Sequence, residues 1–160
     1  MFYPTGINNG TVVFGGNGAG FSRNQLRSPV GIYLDIISNS LIIANSGANN
    51  IVRWTIGAAN WTLVAGNLNG SKSSASDGFW NPQDVILDPM GNVYVTEYDG
   101  HRVQFFPVGE KNGITIAGAA NSIGSTDLQF NGSRSIVLDN QLNLYVADRN
   151  NHRVQKFLRY

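Results

Sequence analysis

The sequence predicts an all-β chain built from one unit used three times, and three observations lead there. Like segments recur about every fifty residues: PVGIYLD (29–35), PQDVILD (82–88) and SRSIVLD (133–139) align, with Asp35, Asp88 and Asp139 spaced by 53 and 51 residues. Between them, short β-branched and aromatic runs alternate with Asn-Gly, Asp-Gly and Pro-x-Gly-Asn turns, and no window shows an apolar period of 3.6. The polar residues are those of turns rather than helices, with 20 Asn and 19 Gly against only 13% charged residues.

Each unit holds four strands. In the middle one they are expected at about 83–87, 93–96, 103–108 and 114–117, with Asp88-Pro89-Met90-Gly91-Asn92 closing the first hairpin. The second and third strands recur as LIIANSGANNIVRW (41–54), VYVTEYDGHRVQFF (93–106) and LYVADRNNHRVQKF (144–157). The first two strands of a unit are nearly continuous apolar runs, such as Val93-Tyr94-Val95 and Leu41-Ile42-Ile43, so both of their faces need cover. The third strand is polar at alternate positions, as in Val103-Gln104-Phe105 and Val154-Gln155-Lys156, and belongs farther from the centre. A fourth run recurs as TVVFGGNG (11–18), TLVAGNLNG (62–70) and ITIAGAAN (114–121), each followed by a loop rich in Ser and Gly that ends at Leu26, Phe79 or Leu128. Four-stranded sheets of one plan, stacked face to face with the inner strands most buried, are the blades of a β-propeller. A sandwich needs no fifty-residue period, and a solenoid needs shorter rungs.

The repeated phrase resembles the NHL repeat. It is carried by Pro29, Gly31, Ile32 and Asp35; by Pro82, Val85, Asp88, Gly91, Asn92, Tyr94, Val95, His101, Arg102, Val103 and Gln104; and by Ile136, Asp139, Asn143, Tyr145, Val146, Ala147, Asp148, Asn151, His152, Arg153, Val154 and Gln155. Asn49-Asn50 stands where the other units have His-Arg, the first hairpin gains a residue between Ile36 and Ser40, and Ser133 replaces the proline. The resemblance implies a β-propeller, and it implies three classes of function: protein-binding scaffold, RNA-binding domain and amidating lyase. Such propellers typically carry about six blades, and three cannot close a ring.

Residues 1–160 therefore read as a single half-ring domain, with units at approximately 27–66, 80–118 and 131–160 plus 1–16. The opening stretch MFYPTGINNGTVVF matches the end of a third strand and a whole fourth, while HRVQKFLRY is a third strand without its fourth. The expected partner is a second copy: a C2 homodimer forming one six-bladed ring, residues 11–14 of each chain pairing with 154–159 of the other. The alternative is that the remaining blades lie on a longer chain.

Composition narrows the function classes. A net charge of +1 without any Lys/Arg run argues against nucleic acid and membrane surfaces as partners. No apolar stretch approaches 18 residues, and the opening decapeptide lacks a basic-then-apolar layout. Without Cys there is no thiolate ligand, nucleophile or disulfide. Sequons at Asn9, Asn60, Asn69 and Asn131 would suit secretion, but their number is close to chance, so the compartment stays open.

Candidate sites follow from where matching units differ. Gln83-Asp84 and Arg134-Ser135 replace Val30-Gly31 at the start of the innermost strands, and these four are the candidate ligand-binding rim of the channel. Tyr98-Asp99 and Arg149-Asn150, between second and third strands, are the candidate partner-binding loops. His101 and His152 occupy equivalent places in neighbouring units, too far apart to share an ion. Glu97, Asp148 and the Asp35, Asp88 and Asp139 series fit turn capping, and Trp54, Trp61 and Trp80 fit packing. There is no G-x-S-x-G, H-E-x-x-H or P-loop motif, and the glycines at 15–18 have no helix behind them to cradle phosphate. No catalytic residue, metal ligand or cofactor is assigned. The expected function is a non-catalytic binding or scaffold module for a protein, peptide or small ligand, with a channel-centred, metal-dependent lyase or hydrolase and RNA binding as the alternatives.

Overall fold

The computed structural model describes residues 10–159; residues 1–9, with the expected third-strand tail and Asn9, and residue 160 lie outside the described residues. The chain forms three antiparallel sheets in sequence order. The first contains β1 (Pro29–Asp35), β2 (Ser40–Asn45), β3 (Asn50–Thr55) and β4 (Thr62–Gly66). The second contains β5 (Pro82–Leu87), β6 (Val93–Glu97), β7 (Arg102–Phe106) and β8 (Ile114–Gly118), and the third contains β9 (Ser133–Leu138), β10 (Leu144–Asp148) and β11 (Arg153–Phe157). β7 stops at Phe106, two residues short of the expected end, because Pro107 has no N–H for a ladder and begins a turn in which Glu110 N–H donates to its carbonyl.

The repeated aspartates make the first hairpin of each unit. Asp88 Oδ1 accepts from the N–H groups of Met90 (2.9 Å) and Asn92 (3.0 Å), and Asp139 Oδ1 from those of Gln141 and Asn143. Asp35 Oδ1 takes the N–H groups of Ile37 and Ser38 in the longer first turn. Each carboxylate satisfies turn donors that the ladder leaves free, which accounts for its recurrence.

Period-2 alternation gives every sheet two apolar faces. Ile42, Ala44, Ile51 and Ala65 of the first sheet pack on Phe79, Val85, Leu87, Val93, Val95 and Phe106 of the second unit. One unit on, Tyr94, Val103 and Ala117 pack on Phe130, Ile136, Leu144 and Val146. The opposite face of the first sheet carries Ile43, Val52, Trp54 and Trp61, with Phe14, Leu26 and Leu41 against them. Trp54 and Trp61 are core residues whose indole N–H groups donate to the carbonyls of Ala58 and Gln25, while Trp80 is half-buried under the Lys72 ammonium.

The third sheet has three strands. Residues 11–14 form no ladder among the described residues, although their composition is that of a fourth strand; Phe14 instead stacks on Trp54 at 5.0 Å. A strand is a strand only against a partner edge, and among the described residues 11–14 pairs with none.

Candidate functional site

The first strands of the three sheets lie side by side nearest the axis, and each begins with a register irregularity. Pro29 pairs with Asn45 and Ile32 with Ile43; Pro82 pairs with Glu97 and Asp84 with Thr96; Ser133 pairs with Asp148 and Ser135 with Ala147. Val30-Gly31, Gln83 and Arg134 are thus the residues in excess of their partners, the place where a bulge re-aims side chains. The close approach here demands glycine at position 31, since a Cβ would lie 2.6 Å from Asp84 Cα.

The four rim candidates divide. Asp84 and Ser135 are brought together: Asp84 Oδ2 accepts from Ser135 Oγ (2.8 Å) and from Ile136 N–H (3.1 Å), while Oδ1 accepts from Val85 N–H. Arg134, next to this pair, is exposed. Gln83 is only 6% exposed; its Nε2 donates to Asn81 Oδ1 (2.6 Å), and its Oε1 is buried without a partner.

The loop candidates are tied into the rim between units. Asp99 Oδ2 accepts from Asn81 Nδ2 (2.9 Å), and Asn150 Nδ2 donates both to Tyr98 Oη (3.1 Å) and to Asn131 Oδ1 (3.2 Å). Arg149 reaches Asn150 Oδ1 at 3.4 Å. The amide of Asn150 donating to the phenol oxygen, with Arg149 beside it, holds the Tyr98 hydroxyl below its usual pKa. Asn81 and Asn131 are the residues that sequence reading missed. Their signal was their place directly ahead of the first strand.

Behind the rim lies a buried clamp. Glu97 Oε1 accepts from Arg102 Nε (2.6 Å) and Gln104 Nε2 (2.9 Å), Oε2 accepts from Trp80 N–H (2.7 Å), and Arg102 also donates to the carbonyls of Ala75 and Gly78. Asp148 and Arg153 repeat the arrangement, with Asn131 N–H on Asp148 Oδ1 and Arg153 donating to the carbonyls of Ser125, Thr126 and Gln129. In the first unit Asn45 and Asn50 do the same work without charge, Asn45 Oδ1 taking Arg27 N–H and Nδ2 donating to Asn50 Oδ1. The acid at the end of each second strand therefore anchors the incoming loop. Burial pushes the Glu97 carboxyl above its usual range, against the opposing pull of Arg102.

The histidines have a backbone explanation. His101 (φ 53°) and His152 (φ 54°) occupy the left-handed position that Asn49 (φ 48°) fills in the first unit, and Asn and His tolerate that region better than most residues. His101 Nδ1 accepts from Gly132 N–H at 3.4 Å. Among the described residues no three of His, Asp and Glu converge to hold a metal. A separate cleft of about 700 Å³ opens between the second and third sheets, at the end where their first hairpins turn, with Tyr94, Phe105, Leu144 and Phe157 among its walls and Arg159 at its edge.

Residues 79–106 and 130–157 match the pattern of the NHL repeat. The chain carries NHL repeats of the β-propeller fold. Each match begins at the buried Phe79 or Phe130 that seats a unit on its predecessor and ends in the third strand, so the NHL unit and the packing unit coincide. No curated protein matches the chain. Among solved structures it is similar to an auxiliary nutrient binding protein from Bacteroides thetaiotaomicron (18% identity, 78% of this chain and 36% of that one, TM-score 0.64). It is also similar to a protein of unknown function from the same organism (14%, 80% and 34%, TM-score 0.69). A third is virginiamycin B lyase from Staphylococcus aureus (15%, 84% and 39%, TM-score 0.57). The chain spans about a third to two fifths of these structures, and identities this low establish the fold alone.

Proposed function

We propose that this NHL-repeat chain is a non-catalytic binding module that takes a small polar or anionic ligand, free or as a peptide side chain, at the bulged mouth of its innermost strands. The observation that supports it is the Asp84–Ser135 pair joined across two sheets beside the exposed Arg134. A guanidinium recognises carboxylate or phosphate, and an acid–hydroxyl pair supplies acceptors and a donor for sugar-like groups. The surrounding acids are engaged in turns and clamps, and Asp84 itself holds Val85 and Ile136 N–H, which leaves Arg134 as the exposed charge at this mouth. The fold is shared with a nutrient binding protein and with a lyase, so likeness alone favours neither reading.

The test is a nuclear magnetic resonance titration of the labelled chain with acetate, inorganic phosphate, glucose and a short acidic peptide. The expected result is amide shifts at 83–84 and 134–136 that disappear in Arg134→Ala. Shifts confined to the cleft near Phe105 and Phe157, turnover of virginiamycin B, or salt-dependent RNA retention unaffected by Arg134→Ala would overturn it.

A further inference from the structure

Among the described residues the third sheet has no outer strand, while residues 11–15 have the make-up of an outer strand and join no sheet. Three observations bear on how the two are related. First, the loop behind 11–15 is already built as it is elsewhere: the isolated bridge Ala19–Leu26 repeats as Ile123–Phe130, 104 residues on. Second, Gly15 has φ 74°, as Gly66 has 87° and Gly118 has 76°, and each faces the residue that seats the next unit, Leu26, Phe79 and Phe130. Residues 14–15 therefore occupy the place of the outer strand of a sheet preceding the first. Third, the positions left bare match. Val154 is 68% exposed where its equivalents Ile51 and Val103 are 0%, and Ile32 is 62% exposed where Val85 is 0% and Ile136 is 4%.

We infer that the third sheet of one chain takes residues 11–15 of a second copy as its fourth strand and lays its bare face on the first sheet of that copy. The register follows from the two complete sheets. β3 and β4 pair Asn50 with Gly66, Ile51 with Ala65, Val52 with Leu63 and Arg53 with Thr62; β7 and β8 pair Arg102 with Gly118, Val103 with Ala117, Gln104 with Thr115 and Phe105 with Ile114. The corresponding pairs between copies are Arg153 with Gly15, Val154 with Phe14, Gln155 with Val12 and Lys156 with Thr11, and Val13 is the bulge residue. The strand supplies the backbone bonds that β11 lacks on its outer edge. The sheet faces supply apolar cover, Val137 and Val154 on one side and Ile32 and Leu34 on the other, all exposed in the single chain. Two such contacts related by a twofold axis close a ring of six sheets. Closure also sets Val30-Gly31 of the second copy beside Arg134-Ser135, as Gly31 stands beside Asp84 within one chain. This contact stands independently of the ligand reading.

The test uses the full chain. Light scattering at concentrations up to about 100 µM, where a micromolar Kd gives mostly dimer, is expected to return twice 17.3 kDa. Because the chain has no cysteine, Thr11→Cys with Lys156→Cys is expected to give a covalent dimer on oxidation, and the out-of-register pair Thr11→Cys with Val154→Cys much less of it. Val154→Asp changes a side chain that is exposed in the single chain; it is expected to yield a folded monomer by circular dichroism and mass. A wild-type mass of 17.3 kDa throughout, equal cross-linking by both cysteine pairs, or a dimer indifferent to Val154→Asp would overturn the contact.

Discussion

Arg102→Ala is the most informative single perturbation of the fold. The Glu97 side chain is fully buried and the Arg102 side chain nearly so, their closest atoms lie 2.6 Å apart, and the same guanidinium caps the carbonyls of Ala75 and Gly78. Removing one member of such a pair strands the other charge in a dry site, which costs about 3–5 kcal/mol, a large part of the roughly 5–15 kcal/mol that holds a domain together. The first unit shows the neutral alternative, Asn45 with Asn50. The double change Glu97→Asn with Arg102→Asn should therefore lose less than Arg102→Ala alone, at most about 2 kcal/mol. The sign of the pH dependence follows from the raised Glu97 carboxyl, whose folded form holds its proton more tightly than the unfolded chain does. Its contribution to stability then falls as pH rises from 4.5 upward, and falls further once Arg102 no longer opposes the effect of burial. Urea unfolding at about pH 5 and pH 7.5 reads both effects, and the Arg102→Ala deficit is expected to be smaller at the lower pH. A deficit under about 1 kcal/mol, or a double variant as unstable as the single, would refute the clamp.

Other consequences are more local. Gly31→Ala places a methyl 2.6 Å from Asp84 Cα and should cost about 1–3 kcal/mol in urea unfolding, with loss of any Arg134-dependent ligand shift. His152→Asn should be neutral within about 0.5 kcal/mol, because Asn49 already serves at that backbone conformation, whereas His152→Val should be clearly destabilising. Asp88→Ala removes the acceptor for two turn N–H groups and should lower stability by about 1–2 kcal/mol. The Asp35 and Asp139 carboxyls are held below their usual range, chiefly by the Ser38 hydroxyl and the Asn143 amide, so the stability they add is present above pH 3.8 and lost as pH falls below it. An acid titration followed by tryptophan fluorescence checks that direction.

The fold was legible because its determinants are local and repeated. Asp88, Asp139 and their turn residues fix the first hairpins, and the continuous apolar runs at 41–43 and 93–95 announce two-sided burial. The packing of Trp54 and Trp61 was readable on the same grounds, whereas Glu97 and Asp148, expected to cap turns, instead clamp the incoming loop together with Arg102 and Arg153. The rim was less so. Gln83 looks as free as Arg134 in sequence, yet its amide is buried on Asn81, and nothing in a one-dimensional pattern reports that a bulge redirects one and not the other. Asn150 and Tyr98 read as variable tips because the bond that couples them spans 52 residues and two sheets. The strand at 11–14 was readable as one that needs a partner edge; among the described residues it joins no sheet, because the edge its sequence matches is that of the third unit and not of the first.

Hydrogen exchange at the amides of residues 11–14 tests most directly whether the third sheet is completed by a second copy. The account predicts protection comparable to that at 62–65 and 114–117, together with slowed exchange along the outer edge of 153–157. Exchange at the free-peptide rate at 11–14, with 62–65 and 114–117 protected in the same sample, would contradict it.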